Sequence, residues 1–398
     1  MEIRRDALLK RLMDLRHNGM IKVITGMRRC GKSYLLFRLF SEALKAEGVS
    51  DEHIVMVNLE DRRNKVLRDP DKLLEYIDSR LKDDQMHYVL LDEVQLVSDF
   101  EDVLNSYLQV KNADLYVTGS NARFLSKDIV TGFRGRGFEI KVHPLSFLEI
   151  RNARPDEPVE NLWIEYMTYG GLPQVVTMTS AQEKVVYLKS LFKHTYLKDI
   201  KERYDIKLDG DLEELISTLA STVGGLTNPR KLADTFRTVK KSAISQDTIK
   251  VYIDYLQDAF IIERALRYDI KGRRYIDTPS KFYFEDLGLR NALLNFRKVE
   301  KTHLMENAIY NELRTRGMAV DVGEVIWNTK DEDGKKIRKI LEVDFVCNQG
   351  YKRAYIQSAF SIPDDTKRDQ ELQSLRRIDD SFQKVVIIGA HSPRYQDE

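Results

Sequence analysis

Apolar and polar positions change their period several times along this chain, and the changes mark its elements. Ile3, Leu8, Leu9, Leu12, Met13 and Leu15 recur at helical spacing until His17-Asn18-Gly19 stops the run. Ile21–Thr25 is a short, β-branched apolar run, the pattern of a buried strand, and it leads through a glycine-framed loop into a helical pattern over residues 32–47. Residues 53–59 read as a second buried strand, 72–81 as a helix, 88–92 as a third strand and 115–120 as a fourth. Strands alternating with helices predict an α/β fold, a parallel sheet covered on both faces.

From 145 to 204 strand patterns fade and amphipathic helices dominate around Gly170-Gly171-Leu172-Pro173, which predicts a helical lid. Helical patterns over 211–224, 229–240 and 245–264 are followed by two short strands, 267–270 and 281–284, around the turn Lys271-Gly272-Arg273-Arg274. Three helices and a hairpin are the order of a winged helix. The tail has a helix at 303–316, strands near 324–327, 341–346, 354–357 and 385–388, and a helix near 366–378. The expected domains are therefore 1–144, a lid at 145–204, a winged helix at 205–300 and a small α/β domain at 301–398.

The loop after the first strand carries chemistry. Gly26, Met27, Arg28, Arg29, Cys30, Gly31, Lys32 and Ser33 spell G-x-x-x-x-G-K-S, and Tyr34 follows in the helix. Gly26 and Gly31 permit backbone angles that turn successive N–H groups onto a phosphate, and the helix N-terminus adds partial positive charge. Lys32 suits the β- and γ-phosphates of ATP, and the Ser33 hydroxyl suits Mg2+. Asp92, ending an apolar strand, is the expected second Mg2+ ligand, and Glu93 beside it is the expected general base for an attacking water. Thr118-Gly119-Ser120-Asn121 closes the fourth strand and offers Ser120 or Asn121 to the γ-phosphate. Arg134 and Arg136, framed by glycines, fit either an arginine finger reaching a neighbouring subunit or two solvated loop arginines. The finger would require a homo-oligomer.

Composition narrows the partners little. The 64 Lys and Arg balance 63 Asp and Glu, so any basic surface is local. No apolar run approaches the roughly 18 residues needed to cross a bilayer, and the N-terminus lacks a signal-peptide pattern, so a cytoplasmic protein without membrane contact is expected. Cys30 and Cys347 are too isolated for a disulfide framework or a zinc site, and His87, His143 and His194 read as isolated structural residues.

With GMRRCGKS, LLDEVQ, TGSN, the GRG segment before VHPLSFLE, GGLP and EVDF in place, the chain resembles AAA+ ATPases near the archaeal and STAND-type branch. Within it, the chain resembles prokaryotic ATP-binding proteins with a C-terminal domain of unknown function. The resemblance spans nearly the whole chain. It implies phosphate and Mg2+ binding by Lys32 and Ser33, an acidic pair at Asp92 and Glu93, and approach of Gly171 to Pro173 to the nucleotide.

In the second half, Asn228-Pro229-Arg230-Lys231, Lys240-Lys241 and residues 271–274 are candidate DNA-phosphate contacts. The expected recognition helix opposes this, holding Lys250 against Asp247, Asp254 and Asp258, so protein docking stays open. Tyr252, Tyr255 and Phe260 recur at core spacing. In the tail, Glu306, Asp344 and Gln357 resemble the PD-(D/E)XK nuclease arrangement, but Ala359 stands where that pattern needs lysine. The expectation is a degenerate, non-cleaving domain used for binding or assembly with a protein partner.

Overall fold

The computed structural model describes residues 3–120, 133, 135–206, 209–240, 244–297, 300–330 and 336–389, and every statement below is made of these. Asn121, Arg134, Lys241 and the segment 121–132 between β4 and β5 lie outside them. The described residues form two compact units. One draws on 1–156, with Leu172–Thr177 and Asp258–Phe260. The other draws on 157–171, 178–257 and 261–398.

The first unit is a parallel sheet of β1 (Ile21–Thr25), β2 (Ile54–Asn58), β3 (His87–Asp92), β4 (Ala113–Thr118) and β5 (Gly137–Lys141), in the order β2-β3-β4-β1-β5. Every residue of β1 and β3 is buried, which is why both read as unbroken runs rather than alternating ones. β5 escapes the sequence pattern because only Ile140 is buried in it, and its pairing with β1 from Ile21↔Gly137 to Thr25↔Lys141 makes it a strand.

Helices α1 (Asp6–Asp14), α2 (Lys32–Tyr34, continuing through Leu35–Phe40 and Ser41–Ala46), α3 (Pro70–Asp78), α4 (Phe100–Ser106) and α5 (Phe147–Ala153) join this sheet in the chain. Asp69 caps α3 ahead of Pro70, and Ser146 and Glu149 open α5 with a reciprocal capping box. Leu73 and Ile77 of α3 share one core with Val103 and Leu104 of α4 and Val89, Leu91 and Val117 of the sheet. Each such side chain contributes about 1.5–3 kcal/mol on burial. A charge pair lies inside the sheet: Lys22 on β1 is fully buried, paired with Asp114 on β4, 5.0 Å from the centroid of the Tyr116 ring.

The second unit begins with helices, α6 (Val159–Tyr169), α8 (Ala181–Leu191, prolonged through Phe192–Leu197 and Lys198–Arg203), α9 (Asp209–Ser221), α10 (Pro229–Thr235) and α11 (Gln246–Asp258). The intervening α7 (Pro173–Thr177) clusters with the first unit. The helix expected to reach residue 264 stops at Asp258. Phe260 takes a left-handed φ of 53°, and Ile262–Asp269 forms β6. β6 pairs with β7 (Arg274–Phe284) as the expected hairpin, and it also pairs in parallel with β8 (Ala319–Lys330). The hairpin is thus continuous with the tail strands β9 (Lys336–Gln349), β10 (Lys352–Ala359) and β11 (Gln383–Ile388) in one mixed sheet, β11-β10-β9-β8-β6-β7. Helices α12 (Leu287–Leu293), α13 (Lys301–Thr315) and α14 (Asp365–Arg376) complete the unit. Among the described residues no helix is long and apolar enough to cross a membrane.

Candidate functional site

The loop 26–31 leaves β1 and turns directly into α2. Gly26 takes φ 139°, and a Cβ there would lie 2.1 Å from the Val142 carbonyl oxygen, so no other residue fits without moving the backbone. Gly31, at φ 101°, caps α2 in the left-handed region. Met27 and Cys30 are buried, Arg28 half-buried, and Arg29 and Tyr34 exposed. Pro173 lies against the loop: its Cγ is 3.6 Å from where a Cβ on Gly31 would stand. Gly171 has a different engagement, donating its N–H to Asp286 Oδ2 at 2.8 Å, which commits that donor within the second unit.

Lys32 is 4% exposed, and its ammonium donates to the carbonyls of Gly26 and Met27, both at 3.0 Å. It is a cation held inside the loop by two neutral acceptors. Ser33 Oγ donates to Asp92 Oδ1 at 2.9 Å, bringing the end of β3 to the start of α2. Thr118 explains how that carboxylate is held. Because β4 lies between β1 and β3, its last residue donates from Oγ1 to Asp92 Oδ1 at 2.6 Å and accepts the Glu93 N–H at 2.9 Å. Burial pushes the Asp92 carboxyl above its ordinary range, outweighing the hydroxyls of Thr118 and Ser33 and the Lys32 charge.

Glu93 turns through φ 57°, and its Oε2 accepts hydrogen bonds from Ser120 Oγ at 3.1 Å and from Gln95. Ser120 therefore reaches Glu93, while its alternative Asn121 lies outside the described residues. Arg136 is exposed on the chain entering β5, and its proposed companion Arg134 also lies outside.

Thr118 lies in the TGSN segment, but nothing local in the sequence shows its hold on Asp92 and Glu93. Arg5 belongs to this site and carries no motif: 4% exposed, it donates to the Cys30 carbonyl at 3.1 Å, to the His143 carbonyl at 2.9 Å and to Glu149 at 2.9 Å, tying the loop to α5 and the segment before it. An arginine at residue 5 gives no local signal, because every partner is distant in sequence. Cys30, inside the loop, is fully buried, and its thiol lies 3.3 Å from the Val142 carbonyl oxygen.

A second charged cluster lies in the other unit. Glu306 of α13 accepts from Lys281 Nζ at 2.8 Å and Tyr283 OH at 2.6 Å, and the same ammonium is 2.7 Å from Glu342 and 3.9 Å from Asp344. Asp344 Oδ2 accepts the Ser358 N–H at 2.8 Å, and Gln357 Oε1 accepts the Asp344 N–H at 3.4 Å. Burial and the Glu306 charge push the Asp344 carboxyl up to about 7. Burial alone would lower the Lys281 ammonium, but the three carboxylates outweigh it and hold it above its ordinary value. The lysine missing at Ala359 is thus matched by one from β7, far away in sequence.

A parallel sheet whose strand ends join a G-x-x-x-x-G-K-S loop, a serine hydroxyl and a buried aspartate defines a P-loop nucleotide-binding protein. Comparison with known proteins places it further. A family model described as an AAA domain matches residues 18–151, and one described as a domain of unknown function (DUF8612) matches 160–300. An uncharacterized protein of Haemophilus influenzae is 34% identical over 394 residues, 98% of this chain and 94% of that protein. One from Methanocaldococcus jannaschii is 27% identical over 370 residues, 90% of this chain and 78% of that protein. The chain belongs to the family of AAA-domain proteins in which this domain of unknown function follows.

Among solved structures, similarity extends to the Aeropyrum pernix ORC1 protein in complex with DNA, at 12% identity and TM-score 0.32, covering 74% of this chain and 93% of that one. Cdc6p from Pyrobaculum aerophilum is similar at 14% identity and TM-score 0.32, covering 77% and 95%.

Proposed function

We propose that this protein binds and hydrolyses ATP, and that its nucleotide state governs binding of DNA or a protein partner. The observation that carries the reading is the meeting of Ser33 Oγ with the buried Asp92 carboxylate at 2.9 Å, beside a lysine held inside the loop. Two hard oxygen donors with a desolvated negative charge fit Mg2+. Ser33 and Asp92 would hold it, and it would supply charge neutralisation at the β- and γ-phosphates. Lys32 would exchange its two carbonyl partners for phosphate oxygens. Glu93, steadied by Ser120 and Gln95, would orient and deprotonate the attacking water. Arg136, and Arg134 before it, are the candidates for a finger acting between subunits of an oligomer.

Exposed Arg230, Lys231, Lys271, Arg273 and Arg274 support DNA phosphate contact by the helices and hairpin read as a winged helix. The test is steady-state phosphate release with and without DNA. Lys32→Ala and Glu93→Gln should each reduce it at least 100-fold, with Glu93→Gln retaining ATP binding. Equal release by all three proteins overturns the reading.

For the tail, Lys281 supports binding or assembly rather than phosphodiester cleavage. Its ammonium already occupies the place among Glu306, Glu342 and Asp344 that a metal ion would need. Incubation with supercoiled DNA and Mg2+ or Mn2+ should leave the DNA intact; nicking lost in Asp344→Asn would establish a nuclease instead.

A further inference from the structure

His87, expected to stand alone, does not. β2 and β3 pair in register from Ile54↔Tyr88, so the residues one step earlier, His53 and His87, are neighbours, with ring centroids 4.8 Å apart and planes at 74°. Asp83, in the segment before β3, closes the group. Its Oδ2 is 3.0 Å from His53 Nε2, its Oδ1 is 3.9 Å from His87 Nε2, and the three candidate ligand atoms all lie within 4.8 Å of one another.

The outer ring nitrogens explain why this is more than a hydrogen-bonded pair. His87 Nδ1 is 2.8 Å from the Gln85 carbonyl oxygen, which can only accept. Nδ1 therefore carries a hydrogen, which leaves Nε2 as the ring nitrogen able to offer a lone pair on the side of the Asp83 carboxylate, 3.9 Å away. A metal cation between that nitrogen and the carboxylate would be held by both. His53 Nδ1 is 2.6 Å from Ser50 Oγ, which can accept its N–H and free Nε2 in the same way. Both rings thus have the outer hydrogen bond that fixes the tautomer and orientation of metal-bound histidines. His53 and His87 are 6% and 1% exposed, whereas Asp83 stands open to solvent and leaves room for water.

We propose that His53, Asp83 and His87 form a binding site for a divalent transition cation of the zinc type, with water as fourth ligand. Tetrahedral zinc places ligand atoms about 3.3 Å apart, so the carboxylate distances are close to closure, and the two imidazoles need only small side-chain rotations. Two imidazoles and a carboxylate favour zinc or cobalt over magnesium, in contrast to the oxygen donors Ser33 and Asp92. The site lies at the opposite end of β3 from Asp92, five residues or about 16 Å away, so its role is to clamp the segment after α3 onto the sheet.

The experiment uses the full chain, stripped with EDTA, dialysed, and titrated calorimetrically with Zn2+, then separately with Co2+ under visible spectroscopy. We expect one Zn2+ per chain from this site, a raised melting temperature, and the strong d–d bands of four-coordinate cobalt. Asp83→Asn, at an exposed position that should not disturb folding, and His53→Ala should each weaken this binding at least tenfold and abolish the cobalt bands, with folding verified by circular dichroism. Absence of binding by the wild type overturns the proposal. So does binding that both variants leave unchanged, which would place the ion elsewhere.

Discussion

Replacing Gly26 by alanine isolates what the loop geometry contributes to nucleotide binding. The new Cβ would stand 2.1 Å from the Val142 carbonyl oxygen and 3.2 Å from Cys30 Sγ. An ordinary carbon–oxygen contact needs about 3.3 Å, so loop and carbonyl must separate by about 1 Å. Val142 cannot yield freely, because its N–H is bonded to the Thr25 carbonyl at 2.8 Å. The φ of 139° adds about 1–3 kcal/mol of strain once a Cβ is present, a factor of about 5 to 150 at 1.4 kcal/mol per decade. A displacement of this size in a binding loop is itself worth about 100-fold. We therefore expect Gly26→Ala to lower affinity for a fluorescent ATP analogue about 100-fold, read by anisotropy, while thermal melting shows a folded protein. Gly31→Ala is the internal control. Its Cβ would meet Pro173 Cγ at an ordinary 3.6 Å, leaving only backbone strain and a smaller loss of about tenfold. Gly26→Ala binding within threefold of wild type, or Gly31→Ala proving the more damaging, would refute the reasoning.

Lys22→Ala should destabilise the protein by about 3–5 kcal/mol in urea unfolding, because it leaves the Asp114 carboxylate buried without its cation; a cost below about 1 kcal/mol would show that water enters. Asp344, pushed up to about 7, holds a proton in the folded state that the unfolded chain has lost above about 4. Its contribution is full below about pH 4 and lost as pH rises through 7, so the stability of Asp344→Asn relative to wild type should rise between pH 5 and 8, and a flat difference would contradict this. N-ethylmaleimide should label neither cysteine in the native protein, with or without ATP. Cys30 is buried, and burial pushes the Cys347 thiol up to about 12; labelling that ATP blocks would mean that the loop opens.

The nucleotide loop was legible because its chemistry is contiguous: glycines, lysine and serine sit within eight residues, and the strand before and helix after them have clear periods. Strands β1 to β4 were legible because burial, complete in β1 and β3 and predominant in β2 and β4, makes each a largely apolar run. Tail elements α13, β8 to β11 and α14 were legible too, within a few residues at their ends. The end of α11 was not, since the left-handed turn at Phe260 leaves no trace in composition.

What the sequence alone determined is therefore local: the loop, the acidic strand end, and the alternation that makes the first unit a parallel sheet. Tertiary structure decided everything that depends on pairing across long separations. Sheet order put Thr118 beside Asp92 and Glu93, and joined the expected wing hairpin to the tail. It also brought Lys281 to Glu306 and His53 to His87. Single lysines, threonines and histidines carry no periodicity. Their chemistry exists only where folding sets one beside a partner tens of residues away, and that distance is fixed by strand register rather than by any neighbour in the chain.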